Sequence, residues 1–70
     1  MDKQVDRIFD YMAEHHGITA IEAQNELGVA RLASRIADMK NIGIEIQSEM
    51  VSGENRYGQR VHFKRYYLGG

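Results

Sequence analysis

Ile18-Thr19-Ala20-Ile21-Glu22-Ala23-Gln24-Asn25-Glu26-Leu27-Gly28-Val29-Ala30-Arg31-Leu32-Ala33-Ser34-Arg35-Ile36, followed shortly by Ile42-Gly43-Ile44-Glu45-Ile46, decides how this chain folds. Thr19 and Glu22 have the Ser/Thr-x-x-Glu spacing of a capping box, in which hydroxyl and carboxylate reciprocally satisfy backbone donors at a helix start. A short helix is therefore expected over residues 20–27, with Ala20, Ala23 and Leu27 on its buried side. Gly28 ends it, because glycine accepts the left-handed conformation that helix termini use. A third helix is expected from Ala30 to Lys40, with Leu32, Ile36 and Met39 on one face and Ala33 and Ala37 beside them. Arg31, Ser34, Arg35 and Asp38 fall on the opposite face by the 3.6-residue period.

Upstream, Val5, Ile8, Phe9 and Met12 recur at helical spacing. They predict a first helix over residues 3–15, with Asp2 as its N-cap and His15-His16-Gly17 as its end. Downstream, Asn41-Ile42-Gly43 reads as the stop of the third helix, and the period then changes to two. Ile44, Ile46, Ser48 and Met50 alternate with Glu45, Gln47, Glu49 and Val51, which predicts a strand over residues 44–51. Ser52 to Gly58 is turn chemistry, and Arg60 to Leu68 reads as a second strand rich in β-branched and aromatic residues. The expectation is one mainly α domain over residues 1–70, three helices and then a two-stranded β-hairpin, with Ile8, Phe9, Leu27, Leu32, Ile36 and Ile44 in its core.

A short helix, a tight turn with Gly and a helix with a polar outer face make a helix-turn-helix unit, whose second helix can enter the major groove of DNA. Arg31 and Arg35, with Ser34 between them, are the residues expected to meet base edges there, since Arg can bond guanine at two atoms. Asp38 accepts from cytosine or orients Arg35. Lys40 adds a phosphate contact. The hairpin then acts as a wing, with Arg56 at its tip and Arg60 and Lys64 along its second strand.

The charge distribution agrees, although the net charge is only −1. Residues 1–28 hold six acids against Lys3 and Arg7, a balance of −4, whereas residues 29–70 hold seven bases against four acids, a balance of +3. A bipolar molecule presents one face to phosphate and keeps the other away. The rival reading is a protein-interaction module of the same architecture, in which Tyr11, Tyr57, Tyr66 and Tyr67 supply aromatic anchors.

Other chemistries find little support. The chain has no Cys, which removes disulfides and thiolate metal sites. Asp10, Glu14, His15 and His16 cluster at a helix end, but a catalytic zinc site usually takes three protein ligands and no third is evident. No Ser-His-acid set has a recognisable local context, so no enzyme is expected. The terminal Gly69-Gly70 echoes ubiquitin-like modifiers, but that fold begins with a hairpin and this chain begins with helices. No signal-peptide apolar core and no run of roughly 20 apolar residues is present, so a soluble, cytoplasmic protein is expected.

The stretch quoted above, with its "IT-x-x-EA…LG…RL-x-x-RI…GI-x-I" run, resembles the short helix-turn-helix domains of bacteriophage and prophage genomes, which also end in an aromatic-rich wing. The resemblance covers most of residues 5–68. It implies a winged helix-turn-helix fold, binding of double-stranded DNA through the third helix, and no cofactor. Two departures stand out: Ala30 occupies a position where Ser or Thr often caps the third helix, and the Ala23-to-Gly28 spacing is one residue longer than common. A domain this small makes few phosphate contacts, so a homodimer or cooperative binding is expected.

Overall fold

The computed structural model describes residues 3–69, so the expected N-cap Asp2 lies outside the described residues. Helix α1 (Lys3–His15) buries Val5, Ile8 and Met12. It ends where His16 turns to φ +64° and Gly17 to φ +150°. The Arg65 guanidinium closes that end, donating to the carbonyl oxygens of His16 at 2.8 Å and His15 at 3.5 Å. A cation there satisfies helix-terminal acceptors and opposes the negative end of the helix dipole. The positive φ at Gly17 favours glycine, and a Cβ there would come within 2.7 Å of the Arg65 guanidinium and displace it from the carbonyls it closes.

Strand β1 (Ile18–Thr19) follows and was not anticipated. It pairs antiparallel with a strand far along the chain, with Ile18 opposite Tyr66 and Thr19 opposite Arg65. Thr19 is also the N-cap of α2 (Ala20–Leu27), and the expected capping box is present. The Glu22 amide donates to the Thr19 hydroxyl at 3.3 Å, and the Thr19 amide donates to the Glu22 carboxylate at 3.0 Å. Gly28, at φ +70°, ends the helix as expected. Ala23 is fully buried, but Ala20 is exposed rather than part of the buried side.

Helix α3 (Leu32–Asn41) begins two residues later than its expected start at Ala30. Val29 is drawn into the core, and its amide is spent on the Ala23 carbonyl at 3.0 Å. Arg31 is the N-cap and remains non-helical at φ −126°, ψ 63°, with no side-chain cap. Strands β2 (Ile46–Glu54) and β3 (Arg60–Leu68) form the long hairpin, and β2 is shifted from the expected 44–51. Its start is delayed because the Ile44 amide still bonds the Met39 carbonyl at the end of α3, at 3.0 Å. It runs on to Glu54 because the turn is confined to Asn55–Gln59, bonded backbone to backbone at 3.0 Å. The two-stranded wing is therefore part of a three-stranded antiparallel sheet in the order β1-β3-β2.

Ile8, Leu32 and Ile36 are buried as expected, whereas Phe9, Leu27 and Ile44 pack half-buried at the edge of the core. The deepest positions are held by Ile8, Met12, Ile18, Val29 and Met39. Helices α1 and α2 are further joined by the Tyr11 hydroxyl, which donates to the Glu22 carboxylate at 3.1 Å. Desolvation, and then that carboxylate, hold the Tyr11 hydroxyl above its ordinary value of 10.0.

Leu32→Ala should cost about 2–5 kcal/mol through lost burial and a cavity, and Thr19→Ala about 1 kcal/mol through the lost cap, both read by chemical denaturation. Because the fold favours protonated Tyr11, its contribution is complete below the unfolded value and fades as pH rises above about 10. Tyr11→Phe should accordingly flatten the alkaline limb of the stability profile, measured as the denaturation midpoint between neutral pH and pH about 11.

Candidate nucleic-acid interface

Packing of Leu32, Ile36 and Met39 into the core decides which side of α3 faces outward. Ala33, Ala37, Asp38, Lys40 and Asn41 are exposed, whereas Ser34 and Arg35 are half-buried. Ala33 and Ala37 were expected beside the apolar face. Instead, with Asn41, they form an outward row at four-residue spacing. Arg31, expected on the helix face, stands exposed at the N-cap instead. Arg35 lies on the flank, its side chain 31% exposed and paired with Asp38 at 3.2 Å. Arg31 at the N-cap and Lys40 in the last turn stand at opposite ends of α3.

The wing has two chemically different faces, because side chains alternate along a strand. On β3, Arg60, His62 and Lys64 share one face and are all exposed. Opposite them on β2 stand Glu54, Ser52 and Met50, and the Ser52 hydroxyl lies 3.2 Å from the His62 Nδ1. The other face carries Val51, Gly53, Val61 and Phe63, and further down Arg65, whose guanidinium is committed to the end of α1 and to Glu49 at 3.6 Å.

That second face overhangs the helices. Thr19, Ala20, Ile21 and Gln24 of the β1–α2 junction, Ala30 of the α2–α3 turn, and Asn55, Val61 and Phe63 of the wing line one groove of about 500 Å3. Arg31 and Arg56, both exposed, follow the lining residues Ala30 and Asn55 in sequence, one in the turn and one in the wing tip. Arg60 and Lys64 belong to the reverse face of the wing, and Lys40 to the far end of α3. With Ser34, Arg35 and Asp38 on the body of α3, the expected residues divide into four groups.

The sequence reading passed over His62, Asn41, Asn55 and the outward alanines. For His62 a signal existed, since it sits two residues from both Arg60 and Lys64. For Ala33 and Ala37 none did, because alanine is at home on either side of a helix. Among the described residues no helix is long and apolar enough to cross a membrane.

These elements, three helices with a sheet whose last two strands extend as a wing, coincide with a family model described as a winged helix-turn-helix domain, matched over residues 3–70. Neither a curated protein nor a solved structure matches the chain. By its architecture and by this match across almost its whole length, the chain belongs to the winged helix-turn-helix domain family.

Proposed function

We propose that this domain binds double-stranded DNA sequence-specifically, as a small cytoplasmic transcriptional regulator or a DNA-binding protein of a phage or mobile element, without catalysis or a cofactor. The observation that carries this reading is the groove between the α2–α3 turn and the wing, whose lining residues Ala30 and Asn55 are followed in sequence by the exposed Arg31 and Arg56. A duplex lying across it meets cations from two elements at once.

In this reading α3 enters the major groove with its exposed row leading. Ala33 and Ala37 are small enough for close approach and offer methyl groups to thymine, Asn41 suits adenine, and Lys40 holds phosphate. Arg35 reaches guanine from the flank, oriented by Asp38, with Ser34 adding a hydroxyl. No side chain caps the first turn of α3, and in this reading its amides donate to a phosphate oxygen. Arg56 lies against the backbone or in the narrow minor groove. Arg60 and Lys64 extend the positive wing, and pairing of two domains on adjoining half-sites raises the affinity.

A second reading, docking of a protein partner in the groove, draws on Ile21 and Phe63, which are 63% and 38% exposed there. Salt separates the two. Duplex affinity should fall on a log–log plot with a slope of about −0.9 per phosphate neutralised, over about four to six contacts. Binding that ignores salt, or is absent at low salt, favours the protein-docking reading.

Substitutions then test the parts. Ala37→Glu should leave the thermal melt unchanged, because the site is exposed, yet weaken duplex binding by about 10-fold or more through like-charge repulsion. Unchanged binding would show that α3 is not the reading helix. Arg35→Ala should cost about 1–3 kcal/mol on a preferred site and relax its selectivity, whereas Arg56→Ala should weaken preferred and scrambled duplexes alike and lower the salt slope by about one. Competition titrations with both duplexes measure each outcome.

A further inference from the structure

The tip of the wing is ordered by one side chain. Asn55 opens a turn in which its carbonyl accepts the Gly58 amide at 3.0 Å, and Gly58 sits at φ +74°. The Asn55 side-chain oxygen accepts the amides of Tyr57 at 2.9 Å and Gln59 at 3.0 Å, and its amide nitrogen donates to the Gln59 side-chain oxygen at 3.1 Å. Its own backbone amide bonds the Gln59 carbonyl at 3.0 Å. Asn is suited to this work, since its short side chain mimics a backbone turn two residues on.

This order is not explained by burial. The two residues enclosed by the network, Arg56 and Tyr57, are exposed, Tyr57 by 78%, and neither belongs to the core or packs against it. A loop tip of small or polar residues is ordinarily mobile. Here hydrogen bonds restrict the backbone around two exposed residues outside the core, one a cation and one an aromatic, next in sequence to Asn55, which itself helps to line the groove. Ordering a loop before association reduces what association costs in entropy.

We propose that Asn55 is a positioning residue for duplex binding, holding Arg56 and Tyr57 in the posture in which the wing meets DNA. The proposal rests on the DNA-binding reading above. It assigns the phosphate contact to Arg56, packing against the sugar edge to Tyr57, and no DNA contact to Asn55.

A double-mutant cycle on a fluorescent duplex at fixed salt tests it. Asn55→Ala and Arg56→Ala should each weaken binding by about 10-fold, and the double variant by clearly less than the roughly 100-fold product, the remainder reflecting Tyr57, since coupled sites do not add. The salt slope gives a separate readout. It should stay at the parent value in Asn55→Ala, where the cation is present but disordered, and drop by about one unit in Arg56→Ala. Asn55→Ser, whose hydroxyl makes the same turn bond more weakly, should recover part of the affinity. Thermal melting of all variants should match the parent; if Asn55→Ala melts early, Asn55→Ser carries the comparison. Parent-like binding by Asn55→Ala, or single losses that multiply in the double variant, overturns the positioning role while leaving the DNA-binding reading intact. A parent protein that binds no duplex at low salt overturns both.

Discussion

Thr19 is the residue on which the domain is hinged. It is the last residue of β1, paired across the sheet with Arg65, and at the same time the N-cap of α2. Its extended backbone, φ −108° and ψ 165°, suits both roles, because an N-cap takes the β-region angles a strand already has. The sheet and the helix-turn-helix unit are therefore joined without a linker. Glu22, bonded to Thr19, also receives the Tyr11 hydroxyl, so α1 is tied to the same point. At 5% exposure the polar groups of Thr19 need these partners, which makes the junction specific as well as stable.

From this junction the placement of the wing follows. Pairing of β1 with β3 brings the hairpin over the start of α2, which forms the groove against the α2–α3 turn. It also fixes which face of the wing turns inward. Val61 and Phe63 cover the groove, leaving Arg60, His62 and Lys64 outward, because a strand cannot rotate single residues without flipping all of them. The cations of residues 29–70 are sorted in the process. Arg65 becomes structural, closing α1, while Arg31 lies exposed in the α2–α3 turn, Arg56 at the wing tip, and Arg60 and Lys64 on the outer face of the wing.

The bulk charge of −1 conceals this sorting. Asp6, Asp10 and Glu14 lie exposed along α1 at four-residue spacing, separate in sequence from the turn and wing that carry Arg31 and Arg56. Glu22 is taken up in the junction. An overall count thus says little about any one surface, and Arg65 is a base that contributes to the count but is committed to helix carbonyls and Glu49.

What the sequence by itself determined was local. The Thr19–Glu22 box, the glycine stops at Gly17, Gly28 and Gly43 and the change from a 3.6 to a 2 period all rest on contacts within a few residues, and they placed every helix within two residues of its observed bounds. The tertiary structure decided the rest. Ile18 and Thr19 are β-branched, but two residues are too few to show a two-residue period, and they become a strand only when β3 arrives beside them. Ala33 and Ala37 suit either side of a helix until Leu32, Ile36 and Met39 find their neighbours, and Arg65 reads as another surface base until it meets carbonyls 49 and 50 residues away in sequence. Caps and periods are written into neighbouring residues, whereas exposure and pairing depend on which distant segment packs on which face, and no short stretch of chain contains that information.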